Sequence, residues 1–497
     1  MNLEEEAIIG FLSIVSVTRY QTKIGSVIVE VKHMRTPGKT KVFYFFGKFT
    51  FSLFAAMEMY YFASYMTDAA LLPTTIVALV LNIPSVVDLI FSFLNGVILE
   101  KLHLPIGKYR FWLIVGPIIA TITYAICFIR FESDMVTGIC MIVMMILAHF
   151  FWSMAETAYN ALPTLLTDEA AERSSLSMLF GTAANWSGAL YGLIAMPLIG
   201  LFNGATNSKT MGYLILVVII GILYIVSYTT LALHVTYAEK EEEAQRAKGG
   251  DKKEAVKGPS GKAMMQNITK NGPLVVLLLY NLIFFTVIFT QTTLMFYYFQ
   301  YCLAAVAMMG LVMTLRSVAT IVTTFLFGPL MKLFKGNKKS VVLLGNIVNL
   351  IFMFAMWAIR PTITVFIVGT MISAIIGGVA SMPAIAMYAD CADYGEYKTG
   401  VDAKAFVMSL YNVPVKIGLT IKGFIVSAVL AMIAYDATAT DAASLTRFAN
   451  GFNNGYMLLG AILTLVGILI LAFGYRLNEK KVAECIAETN ARKQKNG

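Results

Sequence analysis

The chain has 497 residues, 58% apolar and only 13% charged, with a formal net charge of +9. That balance excludes an ordinary soluble domain: hydrophobic runs recur from Val42 to Phe473, each long enough to cross a bilayer at roughly 20 residues. The basic residues sit in short loops between these runs rather than on one folded face, which argues against a nucleic-acid partner. The five cysteines and four histidines are scattered without CxxC or Cys/His metal spacing, so no metal or other cofactor is expected.

Residues 1–33 carry Glu4, Glu5 and Glu6 ahead of a short apolar run, the wrong charge for a signal peptide. They read as an amphipathic surface helix, or as residues ahead of a true start at Met34. Twelve apolar runs then begin near residues 42, 74, 111, 136, 176, 211, 272, 303, 339, 362, 404 and 452. The five loops on one side carry 18 Lys and Arg and the six on the other carry four, while the tail from Arg476 to Lys495 adds six. The positive-inside rule therefore places both termini in the cytoplasm of a cell-membrane protein, and most of the net charge is topology.

Between the sixth and seventh runs, AEKEEEAQRAKGGDKKEAVKGPSGK is too polar to pack a core and reads as a cytoplasmic linker. The chain thus divides into an extension 1–41, a bundle 42–236, a linker 237–271, a second bundle 272–477 and a tail 478–497. The halves echo each other: GVILEKLHLPIGKYR follows the second run and GPLMKLFKGNKKS the eighth, and PTLLTDEAAER ends the fourth as PAIAMYADCADYGEYK ends the tenth. The expected fold is an all-α polytopic membrane protein, twelve transmembrane helices in two six-helix halves around a midplane cavity, the plan of the major facilitator superfamily.

ADCADYGEYKTG at 389–400 followed by VPVKIG at 413–418, YNALPTLLTDEAAERSSL at 159–176, and the stretch with YFFGKF, YMTD, Asp88 and GKYRFWLI between Tyr44 and Ile114 occur in that family's order. In these motifs the chain resembles the glycoside/pentoside/hexuronide:cation symporters, the melibiose-carrier family. The resemblance implies secondary transport of a carbohydrate coupled to a proton or sodium ion. Departures from the family pattern fall in its binding site. Ser52 stands at an acidic position of the first run; Asp88 survives from an Asp-x-x-x-Asp-Pro pair that continues here as Ser92 and Phe93; Ala155, beside Glu156, replaces another acid; and Gly181 replaces an arginine.

The resemblance assigns Asp88, Ser92 and Ser52 to cation coupling. Asp88 and Ser92 are four residues apart and share a helix face. With two family acids missing, a proton or no coupling ion is favoured over sodium, which needs several oxygen ligands. Substrate contacts are expected from Glu156, Tyr159, Asn160, Tyr411, Asn412 and Lys416, with Tyr159 stacking on a sugar ring in place of the family's tryptophan and Trp186 in core packing. Lys416 and Asp88 could instead neutralise one another, and Glu58 could pair with Arg316; charges at membrane depth face a cavity or a partner. Asp168, Glu172, Arg173, Asp390, Asp393 and Glu396 at matched corners form an expected cytoplasmic gate, Arg173 bridging Asp390 or Asp393.

No GxxxxGK[ST], HExxH or GxSxG occurs, so neither an ATP motor nor a hydrolase is indicated. The expected partners are a small carbohydrate and the lipid bilayer, with the chain as a monomer. Two alternatives stand beside this reading: a carrier of an amphipathic solute such as a lysolipid, and a transport-dead sensor of the same fold.

Overall fold

The computed structural model describes residues 20–24, 27–31, 36–101, 106–167, 170–240, 266, 268–401 and 403–496. Its spans are span 1 Gly38–Phe62, span 2 Thr74–Lys101, span 3 Arg110–Ile126, span 4 Asp134–Leu166, span 5 Ser175–Thr206, the membrane part of a helix that begins at Ala170, and span 6 Met211–His234. The second half holds span 7 Gly272–Cys302, span 8 Val306–Leu333, span 9 Lys338–Ile359, span 10 Ile363–Thr399, span 11 Phe406–Met432 and span 12 Ala442–Gly474. Eleven are long and apolar enough to cross a membrane, and span 3 is a shorter apolar helix.

Side-chain caps fix several starts. Ser133, Asn271, Asn337 and Asp441 each accept a hydrogen bond from the backbone N–H three residues on, satisfying a donor the helix cannot. Span 12 begins ten residues ahead of its apolar run because its first turns are amphipathic: Phe448 and Phe452 are buried, and Arg447 Nε donates to Ile433 O over 2.7 Å. Span 10 stops at Gly400, whose φ of 71° terminates the helix. Span 1 contains a π-helical segment, Glu58–Phe62, and a second, Tyr65–Ala69, follows it. Such inserted turns re-aim side chains and are common at functional sites.

One terminal feature differs from the sequence reading and another adds to it. Residues Tyr20–Ile24 and Val27–Val31 pair as an antiparallel hairpin, β1 and β2, with Tyr20 opposite Val31, where a surface helix was expected; alternation in VIVEV suits a strand. The tail forms a helix, Glu479–Asn496, seated on span 10, with Cys485 buried and Arg492 Nη1 donating to Tyr397 O over 3.0 Å.

Three helix pairs join the halves: span 1 with span 7, span 2 with span 11, and span 5 with span 8. Spans 5 and 8 touch backbone to backbone at Gly192 and Gly310, where a Cβ on Gly192 would meet Gly310 O at 2.7 Å. Small residues permit this approach in a membrane, where packing rather than water exclusion drives helix association.

Candidate functional site

Hydrogen bonds between the halves gather toward the end carrying residues 63–73 and 433–441. Tyr435 Oη donates to Asp68 Oδ1 over 2.7 Å, Gln300 Nε2 lies 3.4 Å from the same oxygen, and the Thr67 and Tyr297 hydroxyls are 2.7 Å apart. Burial pushes the Asp68 carboxyl above its ordinary range, while the hydrogen bonds from Thr67, Tyr435 and Gln300 oppose that rise. Further along, Asn82 donates to Ser427 over 3.2 Å, Thr420 to Ser85 O over 3.3 Å and Thr314 to Ala189 O over 2.8 Å.

Toward the opposite end, charges bond within their own half. Lys41 pairs with Glu172 at 2.9 Å, Lys338 with Asp390 at 2.8 Å and Glu479 at 3.0 Å, and Lys404 with Asp393 at 2.7 Å and Glu396 at 3.6 Å. Arg173 Nε donates to Thr167 O over 2.8 Å. In this conformation Asp390 and Asp393 are therefore held by lysines of their own half, not by Arg173. Asp168 lies outside the described residues.

At membrane depth the structure brings together more charge than the family positions alone suggest. Lys416 Nζ is 3.2 Å from Asp88 Oδ2, joining span 11 to span 2, and Asp88, Glu156 and Glu58 all lie within its electrostatic reach. Lys48 pairs with Glu156 at 3.3 Å and rests over the Phe51 and Phe180 rings. Glu58 Oε2 lies 3.1 Å from His149 Nε2, so its partner is His149 on span 4 rather than Arg316. Unpaired, each such charge would cost about 2.5–3.5 kcal/mol at the helix centre.

Several expected contacts are differently placed. Ser92 donates to Leu89 O over 2.7 Å within its own helix instead of joining Asp88 around an ion, and Ser52 is half-buried. Tyr159 is fully buried, stacked on Tyr44 at 4.6 Å and on Tyr228 at 5.5 Å, with its hydroxyl donating to Tyr44 O over 2.6 Å. Both ring faces are covered, so it offers no platform to a sugar in this conformation. Asn160 and Asn412 are exposed. Trp186 is 59% exposed and is not part of the core.

A cavity of about 420 Å³ is built mainly by the second half and includes Tyr411 from the expected set. Its polar lining comes from Asn281, Gln291, Arg316, Asn349 and Ser373, with Tyr60 reaching in from span 1. Arg316 is exposed into this chamber, and among the described residues no carboxylate lies within 4 Å of it; the hydroxyls of Tyr60 and Tyr456 are its electrostatic neighbours. Sequence signals for this chamber exist: Arg316, Ser317 and Thr320 share one face of span 8, and Asn346 and Asn349 one face of span 9.

Two six-helix halves, bonded across one end and enclosing a polar chamber at membrane depth, define a secondary transporter of the major facilitator type. The chain belongs to the MFS/sugar transport protein family, whose model matches residues 43–479; it is a multi-pass membrane transporter rather than an enzyme. It is 23% identical to the isoprimeverose transporter of Lactiplantibacillus pentosus over 82% of this chain and 83% of that one. With the glucuronide carrier protein homolog of Escherichia coli (strain K12) the identity is 24% over 92% and 96%. In fold it matches a bacterial homolog to the human lysosomal transporter Spinster, with a TM-score of 0.65 at 11% identity over 90% of this chain and 96% of that one.

Proposed function

We propose that the chain is a cation-coupled carrier of a sugar-type solute bearing an acidic group, working by alternating access at the cell membrane. The observation that carries this is Arg316, a guanidinium standing in an amide- and hydroxyl-lined chamber without a carboxylate partner among the described residues. Sugar hydroxyls are matched by Asn281, Gln291, Asn349 and Ser373, and a fork of guanidinium donors suits a carboxylate or sulfonate. A glucuronide, the solute in the name of one relative, belongs to this chemical class. The positive-inside count puts the bonded end outside and the Lys41, Lys338 and Lys404 end in the cytoplasm, so the conformation corresponds to an inward-open carrier.

The test is uptake of labelled D-glucuronate into proteoliposomes, competed by D-xylose, by uronates and by a lysolipid. Uronates should compete best, and Arg316→Gln should abolish glucuronate uptake while the protein still folds. Competition by the lysolipid alone would support the amphiphile reading, and saturable binding without flux would support the sensor.

A further inference from the structure

Glu58 opens the π-helical turn of span 1, and His149 sits midway along span 4, both in the first half. The His149 Nε2 nitrogen is taken by Glu58 Oε2 at 3.1 Å; its Nδ1 is buried and has no hydrogen-bond partner. Lys422, on span 11 of the other half, is 3% exposed. Its Nζ touches Met59 Sδ at 3.9 Å, the residue after Glu58, and among the described residues no carboxylate lies within 4 Å. Glu58 feels both His149 and Lys422. One carboxylate therefore stands between a titratable ring in its own half and an unpaired amine in the other.

We propose that Glu58, His149 and Lys422 form the proton-binding site that drives the transport cycle, distinct from the Asp88 position that the family resemblance assigns to the cation. The proton is taken from water onto His149 Nδ1, the free nitrogen, giving an imidazolium whose Nε2–H holds Glu58 on span 4. Lys422 is then left buried and unpaired at the joined end, and this strain is relieved when that end opens and the amine reaches water. Loss of the proton returns it to water and releases Glu58 to Lys422, tying span 1 to span 11 and closing the same end. The other charged or titratable groups around the site are Asp88 on span 2, Tyr124 and Cys127 on span 3, Glu156 on span 4, Lys48 on span 1 and Lys416 on span 11. Asp88 is engaged by Lys416 and Glu156 by Lys48, whereas the Nδ1 nitrogen of His149 has no hydrogen-bond partner and is the atom left to take a proton.

The proposal deepens the carrier reading but is tested without a substrate. Spin labels at Thr164 and Ser409, exposed on opposite halves at the cytoplasmic end, report opening by their separation, in protein with Cys140→Ala and Cys302→Ala. Between pH 8.5 and 5.5 the wild-type distance distribution should shift severalfold toward short separations. His149→Gln, Glu58→Gln and Lys422→Met should each lose that response, Lys422→Arg should keep it, and Asp68→Asn and the double variant Asp88→Asn/Lys416→Met should keep it too. A wild type indifferent to pH, a response surviving in both His149→Gln and Glu58→Gln, or one lost in Asp68→Asn or in the folded Asp88→Asn/Lys416→Met protein would overturn the proposal. Failure of glucuronate uptake with the pH response intact would instead count against the substrate reading alone.

Discussion

Tyr435 and Asp68 are 367 residues apart in sequence, yet a 2.7 Å hydrogen bond between them ties the segment after span 1 to the segment after span 11. Gln300 and Thr67 also serve the Asp68 carboxylate, so Tyr435→Phe removes one donor without leaving the acid bare. A hydrogen bond to a charged group is worth about 1.5–3 kcal/mol, and the remaining donors put this one near the lower limit. Tyr435→Phe should therefore move the population about tenfold away from the state with this end closed, read as faster labelling of a cysteine placed at Phe296, which is buried here against Tyr61 of the other half. An unchanged labelling rate would mean that the bond does not hold this end.

The contact of Gly192 with Gly310 supplies a steric version of the same test. A side chain at position 192 would run into Gly310 O and Met313 Cβ, at 2.7 and 2.8 Å for the first added carbon alone. Overpacking of this kind costs about 1–3 kcal/mol. Gly192→Val should hold spans 5 and 8 apart, favour the outward-open state and slow transport while ligand binding from outside persists. Wild-type turnover in this variant would show that the two spans need not meet.

Much of the fold was legible because a membrane simplifies the code. Twelve apolar runs, a polar linker and a charge bias between loops give the helices and the two halves directly, and most span starts lie within a few residues of those read from hydropathy. The start of span 12 was hidden because its first turns are amphipathic, and the strand pair at 20–24 and 27–31 because a short alternating segment carries little weight beside a charged terminus. The site was less legible. Family positions pointed to Asp88 and Lys416, which do meet, but the Glu58 and His149 pair joins two residues outside those motifs, and one-dimensional spacing gives no clue that spans 1 and 4 bring them together. The chamber around Arg316 depends on side chains from several spans of the second half, none in a motif.

Tyr159 is the expected substrate contact that this conformation covers most completely. Its position suggests a sugar platform, but Tyr44 and Tyr228 cover it and its hydroxyl is spent on Tyr44 O. Truncating a buried aromatic costs about 3–5 kcal/mol. Tyr159→Ala should lower the melting temperature sharply, whereas Tyr159→Phe should cost about 1 kcal/mol through the lost hydrogen bond and leave the Michaelis constant unchanged. A large rise in that constant for Tyr159→Phe, with stability retained, would restore a substrate role.

Glu172 links the start of span 1 to the loop between spans 4 and 5. Burial acts to raise its carboxyl, but the Lys41 ammonium and hydrogen bonds from Thr167 and Thr36 outweigh burial and hold it below the usual glutamate range. A depressed carboxyl contributes stability above the ordinary glutamate range and loses it as pH falls through the depressed value. The melting-temperature gap between wild type and Glu172→Gln should thus be full at pH 7 and close on acidification. A gap that widened toward acid would contradict this pairing.

The Lys416 and Asp88 pair decides whether the family's cation position still works as one. The two side chains meet at 3.2 Å across the halves, with Asp88 buried. Removing one partner strands the other at membrane depth, a loss of about 3–5 kcal/mol, whereas replacing both by neutral groups of similar size is often close to neutral. Asp88→Asn and Lys416→Met should each lower stability, and the double variant should recover most of it. If the pair only joins spans 2 and 11, the double variant also regains pH-driven uptake, since proton binding at His149 and Glu58 is untouched. That recovery is the outcome expected here. A stable double variant that exchanges substrate but no longer accumulates it under a proton gradient would return coupling to Asp88 and remove the reason for a separate proton site.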